Sequence, residues 1–155
     1  MMSRVILVPH DEYEMSDSAL KYAIEIEKGL NMKIKLIRVV QEVLDASTMS
    51  FWNNIERARV KREVEKYRAQ IRQKEYKKLE KLVSSSNSRG VEASSLVLEG
   101  DAAEKITSLI NKERPYLVVV GSRRLPSRGL SKLKTLGSVA RKITEESKCP
   151  VLVVR

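Results

Sequence analysis

Tyr116-Leu-Val-Val-Val120, Gly121-Ser-Arg-Arg-Leu-Pro-Ser-Arg-Gly129, Leu130-Ser-Lys-Leu-Lys-Thr-Leu136, Gly137-Ser138: the reading of this run decides the fold. It describes a buried strand that breaks at Gly121 into a small basic loop and ends at a Gly-Ser helix start. An apolar strand feeding a polar loop and a helix N-terminus is how α/β proteins build sites for phosphate-bearing ligands.

Downstream of this run, Val139, Ala140 and Ile143 share the inward face of a helix that stops at Cys149-Pro150, and Val151–Val154 is a strand at the C-terminal end. Upstream, Ala102, Ala103, Ile106, Leu109 and Ile110 form an apolar helical face. Asp101 and Glu104 open that helix with capping-box spacing. Val91 to Leu98 reads as a strand, preceded by the turn cluster Ser84–Gly90. At the N-terminal end, Val5–Pro9 is a continuous apolar run of the kind buried on both sheet faces. Ser16 is the expected N-cap of the next helix and Gly29 its stop, with Ala19, Leu20, Ala23 and Ile24 at helical spacing. Lys33–Val40 is a further strand.

The longest helical pattern lies between these parts. Val60, Val64, Tyr67, Ile71, Leu79 and Leu82 mark one apolar stripe, read as ordinary packing against a sheet. Leu44–Asn54 before it, with Phe51 and Trp52, suits a pocket cap or a subunit contact. Strands alternate with helices throughout, so the class is α/β with a mainly parallel sheet and right-handed crossovers.

A chain of 155 residues, 42% hydrophobic and 32% charged, is read as one domain with one core. No apolar run approaches the ~20 residues that span a bilayer, and Met1-Met2-Ser3-Arg4 does not resemble a signal peptide. One cysteine and one histidine exclude an internal disulfide and a His/Cys metal site, and they suit a reducing cytoplasm. The net charge of +10 is made from 30 basic and 20 acidic residues. That interleaving describes a solvated surface more often than a nucleic-acid site, so phosphate binding by Arg57, Arg59, Lys61, Arg62, Lys66 and Arg68 is the disfavoured reading.

Four segments in order resemble the universal stress protein family. Ile6-Leu-Val-Pro-His-Asp11 followed by Ser16-Asp-Ser-Ala-Leu20 is similar to the family's opening I-L-V-P-x-D-G-S and S-x-x-A-L. Glu99-Gly100-Asp101 with Ile106 resembles its E-G-x-x-x-x-x-I segment. Leu117–Arg123 and Gly137–Val139, closing in Lys148–Val154, resemble its final third. The likeness covers 1–155 and is weakest over Glu42–Ser88. It implies a single-domain, Rossmann-like three-layer sandwich of the adenine nucleotide alpha hydrolase-like kind. The implied sheet has five parallel strands in the order 3-2-1-4-5, and the implied assembly is a homodimer through Val151–Val154. It also implies a crevice where the Asp11 and Gly121 loops face each other.

Members of that family that bind ATP carry G-x2-G-x9-G-[ST] after the fourth strand. By resemblance, Asp11 accepts from the nucleoside, Pro9 and Val40 line the adenine, and Gly121, Gly137, Ser138 and Val139 surround the phosphates. The chain departs from the pattern at Arg124, which holds the second glycine position, and in three extra residues before Gly137. Gly129 is a substitute only if the loop rearranges. Arg123, Arg124, Arg128, Lys132 and Lys134 offer charged donors in place of backbone ones. Synthetase-type chemistry is disfavoured, because Pro9-His10-Asp11-Glu12-Tyr13 lacks the S-G-G-x-D-S-type pyrophosphate loop that such enzymes carry after the first strand, and two readings stand beside each other. The favoured one is a cytoplasmic regulatory protein binding ATP or AMP, with Mg²⁺ or Mn²⁺ only beside ATP and slow hydrolysis at most. The other is a non-binding member that acts through protein contacts.

Individual residues also have plainer roles. His10 is expected to be a solvent-facing loop histidine rather than a general base. Asp11, Glu12 and Glu14 are expected to be a hydrated turn rather than a Mg²⁺ site. Ser138 can simply cap its helix, and Cys149 is expected to be a packed residue.

Overall fold

The computed structural model describes residues 3–43, 53–122 and 136–155. The basic loop residues Arg123, Arg124, Arg128, Gly129, Lys132 and Lys134 lie outside them, as does most of Leu44–Asn54. The elements are β1 (Ser3–Pro9), α1 (Glu14–Leu30), β2 (Lys33–Val40), α2 (Asn54–Asn87), β3 (Ala93–Glu99), α3 (Ala102–Glu113), β4 (Pro115–Gly121), α4 (Ser138–Glu146) and β5 (Val151–Val154). The strands form one parallel sheet in the order β3-β2-β1-β4-β5. The expected topology is therefore the observed one.

Alternation along the central strands sends side chains to two separate cores. Ile6, Val8, Ile34, Leu36 and Val119 pack with Ala19, Leu20, Ala23 and Ile24 of α1 and with Leu79 and Val83 of α2. Leu7, Ile37, Val118 and Val120 pack with Ile106 and Ile110 of α3 and with Ala140 and Ile143 of α4. Helices thus cover both faces, which is why the strands read as unbroken apolar runs. Lys35 breaks one such run, and half-buried Glu113 of α3 neutralises it at 2.7 Å.

Several expected boundaries move. The α1 helix starts after Tyr13, and Ser16 is buried inside its first turn, where Ser16 Oγ donates to the Tyr13 carbonyl at 2.7 Å. Its C-cap is Asn31 in the left-handed region, so Gly29 does not end it. Arg114 caps α3 in the same conformation, and Asp101 accepts from Glu104 N–H at its start as expected.

The largest departure is in α2. Its 34 residues extend about 51 Å, whereas the eight residues of β2 cover only about 26 Å. Only Leu79, Val83 and Ser86 of α2 are buried, while Ile55 is 82% and Tyr67 55% exposed. The apolar stripe packs on the sheet at its C-terminal end and overhangs elsewhere.

Candidate functional site

The strand sequence runs from β1 outward to β3 and then restarts at β4 on the other side of β1. Chains leaving β1 and β4 therefore diverge to opposite faces and leave a gap at their carboxyl ends. In that gap lies a crevice of about 260 Å³, lined by Pro9, His10, Asp11, Ser16, Ile37, Arg38, Val39, Ala102, Ile106, Val120, Gly121 and Val139.

Of the sequence-predicted residues, Pro9, Asp11, Gly121 and Val139 come together here. Asp11 is exposed at the rim, and its Oδ1 accepts from Tyr13 N–H at 3.3 Å, holding the turn after β1. Val39 rather than Val40 lines the crevice, because alternation along β2 turns Val39 toward the α3 and α4 face. The Val40 carbonyl accepts from Gly100 N–H at 3.0 Å. Gly137 is the N-cap of α4 and makes no side-chain cap, and Ser138 is the exposed first helical residue rather than the cap. The start of α4 thus presents N–H groups and the positive end of the helix dipole without a side-chain cap.

Gly121 has a reason internal to the chain. A Cβ there would overlap the Met15 carbonyl and stand 2.8 Å from Ser16 N, so glycine lets the end of β4 meet the first turn of α1. Ser122, a residue the sequence reading passed over, is buried and does two jobs. Its N–H donates to the Val154 carbonyl at 2.8 Å, and its Oγ accepts from Gly137 N–H at 3.2 Å. That pair fixes the start of α4 against the end of β4.

His10 is not solvent-facing. It is 4% exposed, its Nε2 lies 2.9 Å from Asp17 Oδ1, and its Nδ1 lies 3.4 Å from Glu12 N. A backbone N–H can only donate, so Nδ1 is the acceptor and Nε2–H donates to Asp17. The imidazole pins the loop to α1, seven residues further on.

Behind His10 sits a charge network. Arg38, 7% exposed, reaches Glu12 Oε2 and Glu75 Oε2 at 3.1 Å each. The guanidinium meets both as ion pairs off ideal hydrogen-bond alignment. Lys78 bridges the same two carboxylates at 3.0 and 2.9 Å. Burial works to raise the Glu12 pKa, but the Lys78 hydrogen bond and the Arg38 and Lys78 charges outweigh it and hold the carboxyl below its ordinary value. Hydrogen bonds to Glu75 and Glu12 push the Lys78 ammonium up. Glu12 is therefore turned toward α2, which removes it from any Mg²⁺ cluster with Asp11 and Glu14. Among the described residues no group of three or more His, Cys, Asp or Glu is placed to hold a metal ion, and no helix is long and apolar enough to cross a membrane.

Known proteins place this architecture. The universal stress protein family model matches residues 2–155. The universal stress protein YxiE of Bacillus subtilis is 30% identical over 156 residues, covering 99% of this chain and all of that one. Among solved structures, the protein MJ0577 superposes with a TM-score of 0.74 at 21% identity, covering 99% of this chain and 96% of that one. A universal stress protein from Archaeoglobus fulgidus, solved in complex with dAMP, superposes at 0.61 with 16% identity, covering all of this chain and 98% of that one. With a family model matched nearly end to end on the observed sheet order, this chain belongs to the universal stress protein family.

Proposed function

We propose that this protein binds an adenine nucleotide, ATP or AMP, in the crevice at the carboxyl ends of β1 and β4, as a regulatory ligand with little or no turnover. The observation that carries the reading is the convergence of an exposed carboxylate, an apolar wall and an uncapped helix start on one gap. Pro9, Val39, Ile106 and Val139 suit an aromatic base, and Asp11 suits a ribose hydroxyl, to which it offers an acceptor. The α4 N-terminus suits a phosphate. A relative of the same fold, seen with dAMP, supports the class of ligand. Mg²⁺ or Mn²⁺ accompanies only the triphosphate, because the described carboxylates make no cluster of their own. The working form is a cytoplasmic homodimer joined through β5, the edge strand of the sheet beyond β4.

One observation favours the non-binding reading, in which the protein acts through protein contacts. Gly121 is accounted for by Met15 alone, so its presence does not speak for a ligand. Isothermal titration with ATP and AMP, with and without Mg²⁺, separates the two. Saturable heat that is lost in an Asp11 variant supports nucleotide binding, and no heat at millimolar nucleotide overturns it. A gel-filtration mass of one chain would exclude the dimer.

A further inference from the structure

The basic residues of α2 are re-sorted by the fold. Over Asn54–Asn87 there are eleven Lys and Arg against five Glu, a surplus of six in a chain whose net charge is +10. Arg57 and Arg68 are half-buried, and Arg68 pairs with Glu99 at 3.2 Å. Arg72 also reaches Glu99, and Lys78 belongs to the Arg38 network. Arg68, Arg72 and Lys78 are thus spent on ion pairs that hold α2 against the rest of the fold. Arg59, Lys61, Arg62, Lys66, Lys74, Lys77 and Lys81 remain, every one exposed, and all but Lys61 share one side of the helix.

With Gln70 filling the gap between Lys66 and Lys74, the spacing of those six is three or four residues throughout. They therefore form one row along the helix, on the side away from Leu79 and Val83. From Arg59 to Lys81 the row is about 33 Å long. Its C-terminal half, Gln70, Gln73, Lys74, Lys77 and Lys81 with Lys78, lines a surface hollow of about 360 Å³. Lys66 pairs with Glu63, but both side chains are about two-thirds exposed or more, and such pairs exchange readily for another anion. Glu80 is turned away, accepting from Ser95 Oγ of β3 at 2.6 Å.

We infer that this row is a docking surface for the phosphate backbone of duplex nucleic acid, bound without reading of bases. Charge complementarity supplies the attraction, and the composition of the row selects the occupant. It contains no apolar residue, which an interfacial membrane helix needs on its buried side. It contains no aromatic residue on which unpaired bases stack; Tyr67 and Tyr76 fall on its flanks. A straight line of cations about 33 Å long matches about one turn, roughly 10 base pairs, of duplex phosphates. The row stands clear of the crevice, so this activity is independent of nucleotide binding.

The test is fluorescence anisotropy of a labelled duplex of about 20 base pairs with the full chain, titrated from about 50 mM salt upward. Two variants that leave the buried contacts alone are compared. One is Arg59→Gln/Lys66→Gln/Lys77→Gln/Lys81→Gln, and the other, with the same charge, is Lys21→Gln/Lys105→Gln/Lys112→Gln/Lys148→Gln. Circular dichroism confirms that both are folded. Binding of the duplex is expected, and the row variant is expected to reduce the slope of log K against log salt by about 3.6 while the control variant leaves it nearly unchanged. No binding at low salt, an equal effect of both variants, or tighter binding of a single strand or of anionic vesicles would overturn the inference.

Discussion

Ser122 Oγ accepts a hydrogen bond from Gly137 N–H at 3.2 Å, joining two residues fifteen apart in sequence. The bond clamps the end of β4 to the start of α4 and so fixes where the helix dipole points.

Ser122→Ala removes the acceptor and leaves an orphan N–H at a partly buried helix start. A loss of about 1–2 kcal/mol is expected in urea unfolding followed by circular dichroism. On the nucleotide reading, affinity falls as well, because the α4 N–H groups lose their alignment.

Gly121→Ala places a methyl group against the Met15 carbonyl, which is backbone and cannot rotate away. Destabilisation of about 3 kcal/mol is expected, with or without nucleotide. A variant as stable as the parent in thermal unfolding would show that β4 and α1 do not approach so closely.

Asp11→Asn keeps an oxygen that can accept from Tyr13 N–H and so keeps the turn, while removing the charge. Nucleotide affinity is expected to drop about tenfold, equal to about 1.4 kcal/mol, with unfolding unchanged. Titration calorimetry reads the first and denaturation the second.

Glu12 couples stability to acid. Its carboxyl is held below its ordinary value of 4.5, so the unfolded chain binds the proton first. The stability this group contributes is present above about 4.5 and is lost as pH falls through the folded value. Glu12→Gln is expected to flatten the acid limb of a melting-temperature profile, and an unchanged limb would remove Glu12 as its source.

Thr107 is buried in α3 with a hydroxyl that has no hydrogen-bond partner among the described residues. Thr107→Val keeps the β-branched shape and removes the unsatisfied group, so a gain of about 1 kcal/mol is expected in urea unfolding.

The sheet was legible because each strand is a short apolar run between turn residues, and Asp101–Glu104 carries its helix start openly. The crevice was legible at Pro9, Asp11 and Gly121, since strand ends follow from the strands. The side chains that organise it were not. Arg38, Glu12 and Lys78 meet from three elements, and no local pattern pairs residues so far apart. His10 is buried because Asp17 on α1 comes back to it, a contact set by the entry angle of the helix. The stripe on α2 misled for a different reason: periodicity gives a buried side but not the length of the sheet available to bury it.

The two glycines that frame the loop carry different kinds of information. Gly121 is a joint of the architecture, and any descendant of this fold with the same strand-to-helix approach must keep it, whether or not a ligand survives. Gly137 has φ −59°, which every residue type adopts, so the backbone itself makes no demand for glycine there. In tracing which members of such a lineage have lost their nucleotide, the first glycine is a silent witness. The second is the one whose replacement would be informative.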